Sequence, residues 1–298
     1  MTDFDPLHPP LPAAESSAIV WPSLTAGVMP LAIASAAGLA NRPLLVIAPD
    51  EHSAYRLEQE LQFFVDDKDS LPVLHFPDWE TLPYDLLSPH QDIISSRLAM
   101  LYHLPRLARG IVVVAADTLL QRLPPTHYVN AHTFLLKAGD RLDPQMLRNQ
   151  LEASGYSHVS EVHSHGEFAQ RGGLLDLFPM GSDQAYRIEL FDNEIESLRF
   201  IDTESQRSVE KITEIRILPA REFPLDKTGI ESFRARYRAR FTGDLSRHRI
   251  YQDVSHGLAP PGIEAFLPLF YEDTNSLFDY LPDNSIMVEA GDIHSALK

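Results

Sequence analysis

Leu44-Leu45-Val46-Ile47-Ala48, closed by Pro49-Asp50, is a continuous apolar run of the kind that lies in a parallel sheet with both faces covered. A helix should follow it. Between positions 52 and 65 the apolar residues Tyr55, Leu57, Leu61, Phe64 and Val65 recur at mostly helical spacing, with acidic residues between them. A second strand over residues 73–76, a helix over 91–104 and a third buried strand over 111–115 continue the alternation, which defines an α/β domain. One more buried strand, 285–288, lies near the far end, so the two outer segments are expected to share one sheet.

Past Pro124-Pro125 the pattern changes. Asp143-Pro144 supply an N-cap and a first-turn proline ahead of Met146, Leu147 and Leu151, and Gly155 is a stop, so one helix is bounded from sequence. Residues 158–202 then hold several short β-patterned runs. Turn clusters such as Pro179-Met180-Gly181-Ser182-Asp183 and Asp192-Asn193-Glu194 separate them, which predicts an antiparallel meander. A helix is expected over 227–241, before a loop around Pro260-Pro261-Gly262. No internal repeat or heptad series is present.

A nucleotide site on such a sheet needs a Gly-rich loop whose amides cradle phosphate, a Lys for the β/γ-phosphates and a hydroxyl and acids for Mg²⁺. Ahead of the first helix the chain reads Leu24-Thr25-Ala26-Gly27-Val28-Met29-Pro30, with no Lys and no second Gly. After the last strand, where a helicase-type ATPase keeps an Asp-Glu pair, it reads Glu289-Ala290-Gly291-Asp292. The reading is a motor-like scaffold without its motor. No catalytic residue and no cofactor are assigned. His163 and His165 are two apart, but no third ligand stands at a metal-binding spacing, so no metal is assigned either. Asp78, Glu80 and Asp85, around Trp79 and Pro83, read as a solvated acidic loop rather than an acid/base pair, and His75 and His90 read as structural.

The expected organisation is therefore an α/β fold: a helicase-like parallel-sheet domain in two segments with an inserted small α+β domain built on an antiparallel sheet. The boundaries are 1–20 for a loose leader containing Pro6, Pro9, Pro10 and Pro12, 21–131 for the first α/β segment, 132–219 for the insert and 220–298 for the second segment. The 298 residues suffice for two or three cores. The chain has no Cys, which excludes disulfides, thiol nucleophiles and thiolate metal sites and fits a cytoplasmic setting. No basic stretch leads into an apolar one at the start, and the Ala-rich run 29–40 is too short to span a bilayer. A net charge of −17 repels nucleic acid unless basic residues are locally concentrated, so little direct DNA binding is expected.

In Ala185-Tyr186-Arg187-Ile188-Glu189-Leu190-Phe191, period-two alternation puts Tyr186, Ile188 and Leu190 on a core face and Arg187, Glu189 and Phe191 on the other. Arg beside an aromatic is a pairing enriched at protein interfaces. Arg171, one short strand earlier, could reach the same surface. Alternation alone leaves a plainer possibility open, in which Arg187 and Glu189 pair with cross-strand charges and Phe191 covers a sheet end.

Three stretches carry a family resemblance: Asp78-Trp79-Glu80-Thr81-Leu82-Pro83-Tyr84-Asp85, Ser88-Pro89-His90-Gln91-Asp92-Ile93-Ile94-Ser95-Ser96-Arg97-Leu98, and Arg171-Gly172-Gly173-Leu174-Leu175-Asp176-Leu177-Phe178-Pro179-Met180-Gly181. With them the chain resembles, from about Trp21 onward, the N-terminal region of the bacterial transcription-repair coupling factor (Mfd) family, which looks like UvrB. The resemblance implies a split helicase-like domain with a small domain between its segments that docks the damage-recognition ATPase UvrA. It implies that Arg171, Arg187 and Phe191 form the docking patch, and that Arg187→Ala weakens UvrA binding without unfolding the domain. The implied function is a UvrA-recruiting adaptor in transcription-coupled nucleotide excision repair, without ATPase activity of its own. RNA polymerase and DNA translocation would belong to regions beyond this chain. Two alternatives are an active UvrB-like, nucleotide-dependent remodeller of damaged DNA and an autoinhibitory brake on a C-terminal translocase motor. UvrB-like proteins carry intact nucleotide motifs and a long Tyr-rich hairpin, and the interval from Phe76 to Gln91 is too short for that hairpin.

Overall fold

The computed structural model describes residues 4–12, 18–25, 27–65, 70–83 and 85–297. Parts of the expected leader (1–3 and 13–17), Ala26 of the 24–30 segment, Tyr84 of the 78–85 stretch, residues 66–69 and Lys298 lie outside the described residues. The chain divides into two compact units, one from 1–78, 103–121 and 276–298, the other from 79–102 and 122–275.

The first unit is built on a parallel sheet. Its strands are β1 (Pro43–Ala48), β2 (Val73–His75), β3 (Gly110–Ala115) and, from the far end of the chain, β12 (Ile286–Glu289), in the order β12-β1-β3-β2. Every residue of β1 and β3 is buried, which is why both read as unbroken apolar runs. Helix α1 (Val28–Ala40) contributes Ala32, Ile33, Ala36 and Ala37 to the core, and α2 (Glu51–Phe64) contributes Ala54, Leu57 and Leu61. Each fully buried Leu, Ile or Val here stabilises the unit by roughly 1.5–3 kcal/mol. Asp50 starts α2, its carboxylate accepting from the Ser53 amide at 2.7 Å. The short helix α8 (Ile293–Ala296) follows β12.

Residues 4–12, expected to be a loose leader, are held on this core. Leu11 and Trp21 pack against it, the Trp21 indole donates to the Pro10 carbonyl at 3.1 Å, and Arg42 donates to the Pro12 carbonyl at 3.0 Å. Proline lacks a backbone N–H but keeps its carbonyl acceptor, so a Pro-rich segment can still be tied down through its carbonyls.

His75 ends β2 between two acids of α2, with Nε2 3.1 Å from Glu51 and Nδ1 3.3 Å from Glu58. Burial disfavours its cation, but hydrogen bonds and charge attraction from the two glutamates outweigh that and push its pKa up to about 9. A histidine raised from about 6.5 in the unfolded chain stabilises the fold fully below that value and loses the contribution as pH rises through about 9. The stability difference between wild type and His75→Gln is expected to be on the order of 2–3 kcal/mol at pH 6 and to shrink towards pH 10. Urea unfolding of both proteins at the two pH values measures it. A difference independent of pH contradicts the assignment.

The second unit contains a six-stranded sheet, β5 (Ser157–His158), β6 (Glu167–Arg171), β7 (Leu174–Phe178), β8 (Ala185–Phe191), β9 (Glu194–Asp202) and β10 (Arg207–Ile212), in sequential order. All its pairings are antiparallel except β5 with β6, which run parallel. A two-stranded ladder pairs β4 (Phe134–Lys137) with β11 (Glu214–Ile217). Helices α3 (Gln91–His103), α4 (Thr126–Ala131), α5 (Pro144–Ala153), α6 (Lys227–Arg240) and α7 (Arg249–Ser255) are the remaining α-helices among the described residues. The ends of α5 follow the sequence reading: Asp143 accepts from the amides of Gln145 and Met146 at 2.8 and 3.0 Å, and Gly155 takes φ +95°.

The allegiance of several elements differs from expectation. Helix α3, read as part of the βα alternation of the parallel sheet, belongs apart from its last residue to the second unit. There the Gly181 amide donates to Ser95 at 2.8 Å, and His165 bridges Asp92 and the Ser182 carbonyl, both at 2.7 Å. Gly181 takes φ +76°, and a Cβ on it would lie 2.8 Å from Leu218 and 3.2 Å from Ala99 of α3. Helices α6 and α7 also lie in this unit, so of the segment 220–298 only 276–298 accompanies the parallel sheet.

Candidate docking face

Strand register decides which side chains share a surface. Phe168, Leu175, Leu177, Ile188 and Leu198 are buried on one face of the six-stranded sheet, as alternation predicts for Ile188. On the other face Arg171 stands opposite Leu174, Leu174 opposite Glu189, and Glu189 opposite Ser197. Arg187 and Phe191 flank Glu189 two residues to either side along β8. By alternation along β8 the three candidate residues fall on one face, with Arg171 roughly 12 Å from Arg187 on ordinary strand spacings and Phe191 beyond a register shift that follows Glu189.

Their environments differ. Phe191 ends β8 at the Asp192-Asn193 turn and is 70% exposed. The Arg171 side chain is 52% exposed, with Nη2 donating to the Ser160 carbonyl at 3.0 Å and lying 3.5 Å from Glu161. Leu174 between them is 39% exposed, an apolar tile that alternation on β8 alone could not reveal.

Arg187 is committed inside the sheet. Its Nε and Nη2 donate to the two oxygens of Asp176 at 2.7 and 2.8 Å, a two-pronged pair in which the side chains are 15% and 5% exposed. Further donors reach Ser208 Oγ and the Gln206 carbonyl, both at 3.3 Å. The hydrogen-bonded carboxylate raises the Arg187 pKa still further. The cross-strand charge pairing left open by the sequence is therefore present, with Asp176 as its partner. The signal was a lone carboxylate in the otherwise apolar Leu174-Leu175-Asp176-Leu177-Phe178 strand. Nearby, Ser197 Oγ donates to Glu189, and Arg199 lies 3.8 Å from it.

The nucleotide-like positions lie in the first unit. Asp292 caps α8, accepting from the Ser295 amide and hydroxyl at 3.1 and 2.6 Å, and Glu289 ends β12 exposed. The α1 N-terminus begins after Gly27 with no side-chain cap. Among the described residues no group of three or more His, Asp or Glu side chains is arranged to hold a metal ion, and no helix is long and apolar enough to cross a membrane. Asp78 accepts from Thr118 at 3.1 Å, and Asp85 from the Leu82 amide at 3.2 Å.

Residues 134–223 match the family model described as the UvrB interaction domain, a span from β4 through β11 that holds the whole exposed face. The second unit thus carries a protein-interaction domain of the UvrB kind. Over 85% of its length the chain is 48% identical to the transcription-repair-coupling factor of Escherichia coli K12. It is 44% identical over 95% of its length to that of Haemophilus influenzae, and 34% identical over 83% to that of Myxococcus xanthus. The likeness to the transcription-repair-coupling factor family holds for most of this chain, which spans 22%, 24% and 21% of the length of these three relatives.

Proposed function

We propose that this chain is a UvrA-recruiting module of a transcription-coupled nucleotide excision repair factor, docking through the face that bears Arg171, Arg187 and Phe191 in the domain 132–219. The observation that carries the reading is the coincidence of two independent features. The UvrB interaction domain match covers the six-stranded sheet, and the face of that sheet opposite Ile188, although Ala169, Ala185 and Ile201 are buried at its far end, leaves Phe191, Leu174 and Arg171 exposed. Exposed aromatic and aliphatic area supplies the part of a contact that is desolvated on docking, and a guanidinium at its edge selects an acidic partner surface. Arg187 acts on this face mainly by holding it in shape.

The module has no ATPase activity of its own in this reading. The loop before α1 offers no Lys, and the acid after β12 is engaged as a helix cap. ATP turnover, RNA polymerase contact and translocation on DNA are assigned to the parts of a coupling factor outside this chain. Titration with labelled ATP and Mg²⁺ is expected to show no binding.

Arg171→Ala and Phe191→Ala should each weaken UvrA binding by about tenfold, a loss of roughly 1–2 kcal/mol typical of a contributing interface residue. Both side chains are largely exposed, so circular dichroism and the melting temperature should stay close to wild type. Calorimetric titration of UvrA into each variant reads the effect. Wild-type affinity in both would remove this face from the interface.

A further inference from the structure

The charge of the chain is unevenly placed. Seven of its 25 Lys and Arg residues, and only two of its 42 acids (Glu231 and Asp244), fall between positions 227 and 249. That stretch is α6, the short turn Leu245–Arg247 and the first residue of α7, all in the second unit. Arg236, Arg238, Arg240, Arg247 and Arg249 lie at half-buried to exposed positions, with Arg247 3.5 Å from Asp244 and Arg249 3.4 Å from Asp253. Arg236 and Arg240 stand one turn apart, about 6 Å along the helix axis, and among the described residues no carboxylate lies within ion-pair distance of either. Arg234 and Arg238, on the adjacent stripe, converge on the Tyr251 hydroxyl of α7. A hydrogen bond from Arg234 and the charge of Arg238 hold that phenol below its ordinary pKa.

We infer that α6 and the 245–249 segment form a docking surface for the phosphodiester backbone of duplex DNA, with Arg236 and Arg240 as phosphate contacts. Charge complementarity selects a dense polyanion, and duplex DNA carries one charge per about 1.7 Å of axis. The aromatic side chains favour a duplex over a single strand. Phe233, Tyr237 and Tyr251 are buried and Phe241 is half-buried, whereas single-strand grooves rely on open rings on which bases stack. The net charge of −17 does not silence the patch, because beyond about 10 Å at 0.1 M salt the acidic remainder is screened. The expectation of little direct DNA binding, drawn from net charge alone, is revised at this one surface.

Fluorescence anisotropy of the whole chain with a labelled duplex of about 20 base pairs, across about 25–200 mM salt, tests the inference. Wild type should bind with a salt-dependent affinity. Arg236→Gln/Arg240→Gln should bind about tenfold more weakly at 50 mM salt, with a log–log salt slope shallower by about 2, or roughly 0.9 for each phosphate no longer neutralised. Circular dichroism and UvrA affinity should be unchanged in this variant, which separates the DNA surface from the docking face. No duplex binding at the lowest salt, an unaltered slope in the variant, or tighter binding to a single strand of equal length would each overturn it.

Discussion

Arg97→Ala should destabilise the second unit by about 3–5 kcal/mol, enough to leave a domain of ordinary stability barely folded. Arg97, on α3, and Glu222 are both fully buried, and the guanidinium Nε donates to the carboxylate at 2.7 Å. The same guanidinium lies 4.8 Å over the Trp79 ring. Truncation removes that stacking and leaves the Glu222 charge in the interior without its counter-ion. Arg97→Lys should not rescue it, because an ammonium lacks the flat face that lies over the Trp79 ring. Replacing both partners is different. Arg97→Met/Glu222→Leu removes the buried charges together and should recover most of the loss. Trp79 lies in the second unit and Trp21 in the first, so in a Trp21→Phe background indole fluorescence during urea unfolding reports the second unit alone. A single variant as stable as the parent would show that the pair contributes nothing net.

The same contacts explain what could be read from the sequence. Buried strands β1 and β3 announce themselves because a strand covered on both faces is apolar at every position, and α5 because its cap, its first-turn proline and its stop are local signals. The allegiance of α3 was not legible. Its buried positions, Ile94, Ser95, Arg97, Leu98, Met100 and Leu101, wrap more than one side of the helix, so periodicity shows a helix without showing which sheet it covers. The three stretches that carry the family resemblance meet within this unit: Trp79 lies under Arg97, and Ser95 accepts from Gly181. Much of what makes those stretches recognisable is thus the seating of one helix, and the docking face is a smaller part of it. For that face, alternation on β8 placed Arg187 and Phe191 on one side, but one strand's pattern carries no information about its neighbour's register. Asp176 and Leu174 entered only with the pairing of β7 to β8.

That pairing changes what Arg187→Ala can mean. From sequence, the substitution was expected to weaken UvrA binding in a folded domain. With Asp176 buried and both its oxygens held by Arg187, the substitution should instead lower the stability of the second unit by about 3–5 kcal/mol, mostly the cost of an unpaired buried carboxylate. Asp176→Ala should be milder, since the longer Arg187 can turn its charge towards solvent. Loss of UvrA binding in Arg187→Ala alone is therefore ambiguous between a missing contact and a face that no longer holds its shape. The double variant Asp176→Leu/Arg187→Leu resolves it, because two apolar side chains can replace the pair without stranding a charge. Urea unfolding should show most of the stability restored, and UvrA titration then divides the cases. Binding that returns with stability makes Arg187 a positioning residue whose work is to hold β7, β8 and the exposed Phe191 edge in register. Binding that stays absent in a stable double variant requires a direct contact, with the guanidinium reaching the partner while Asp176 grips it from behind. The geometry favours the first, since the four hydrogen bonds that Arg187 makes within the sheet leave little of its donor capacity to offer outward.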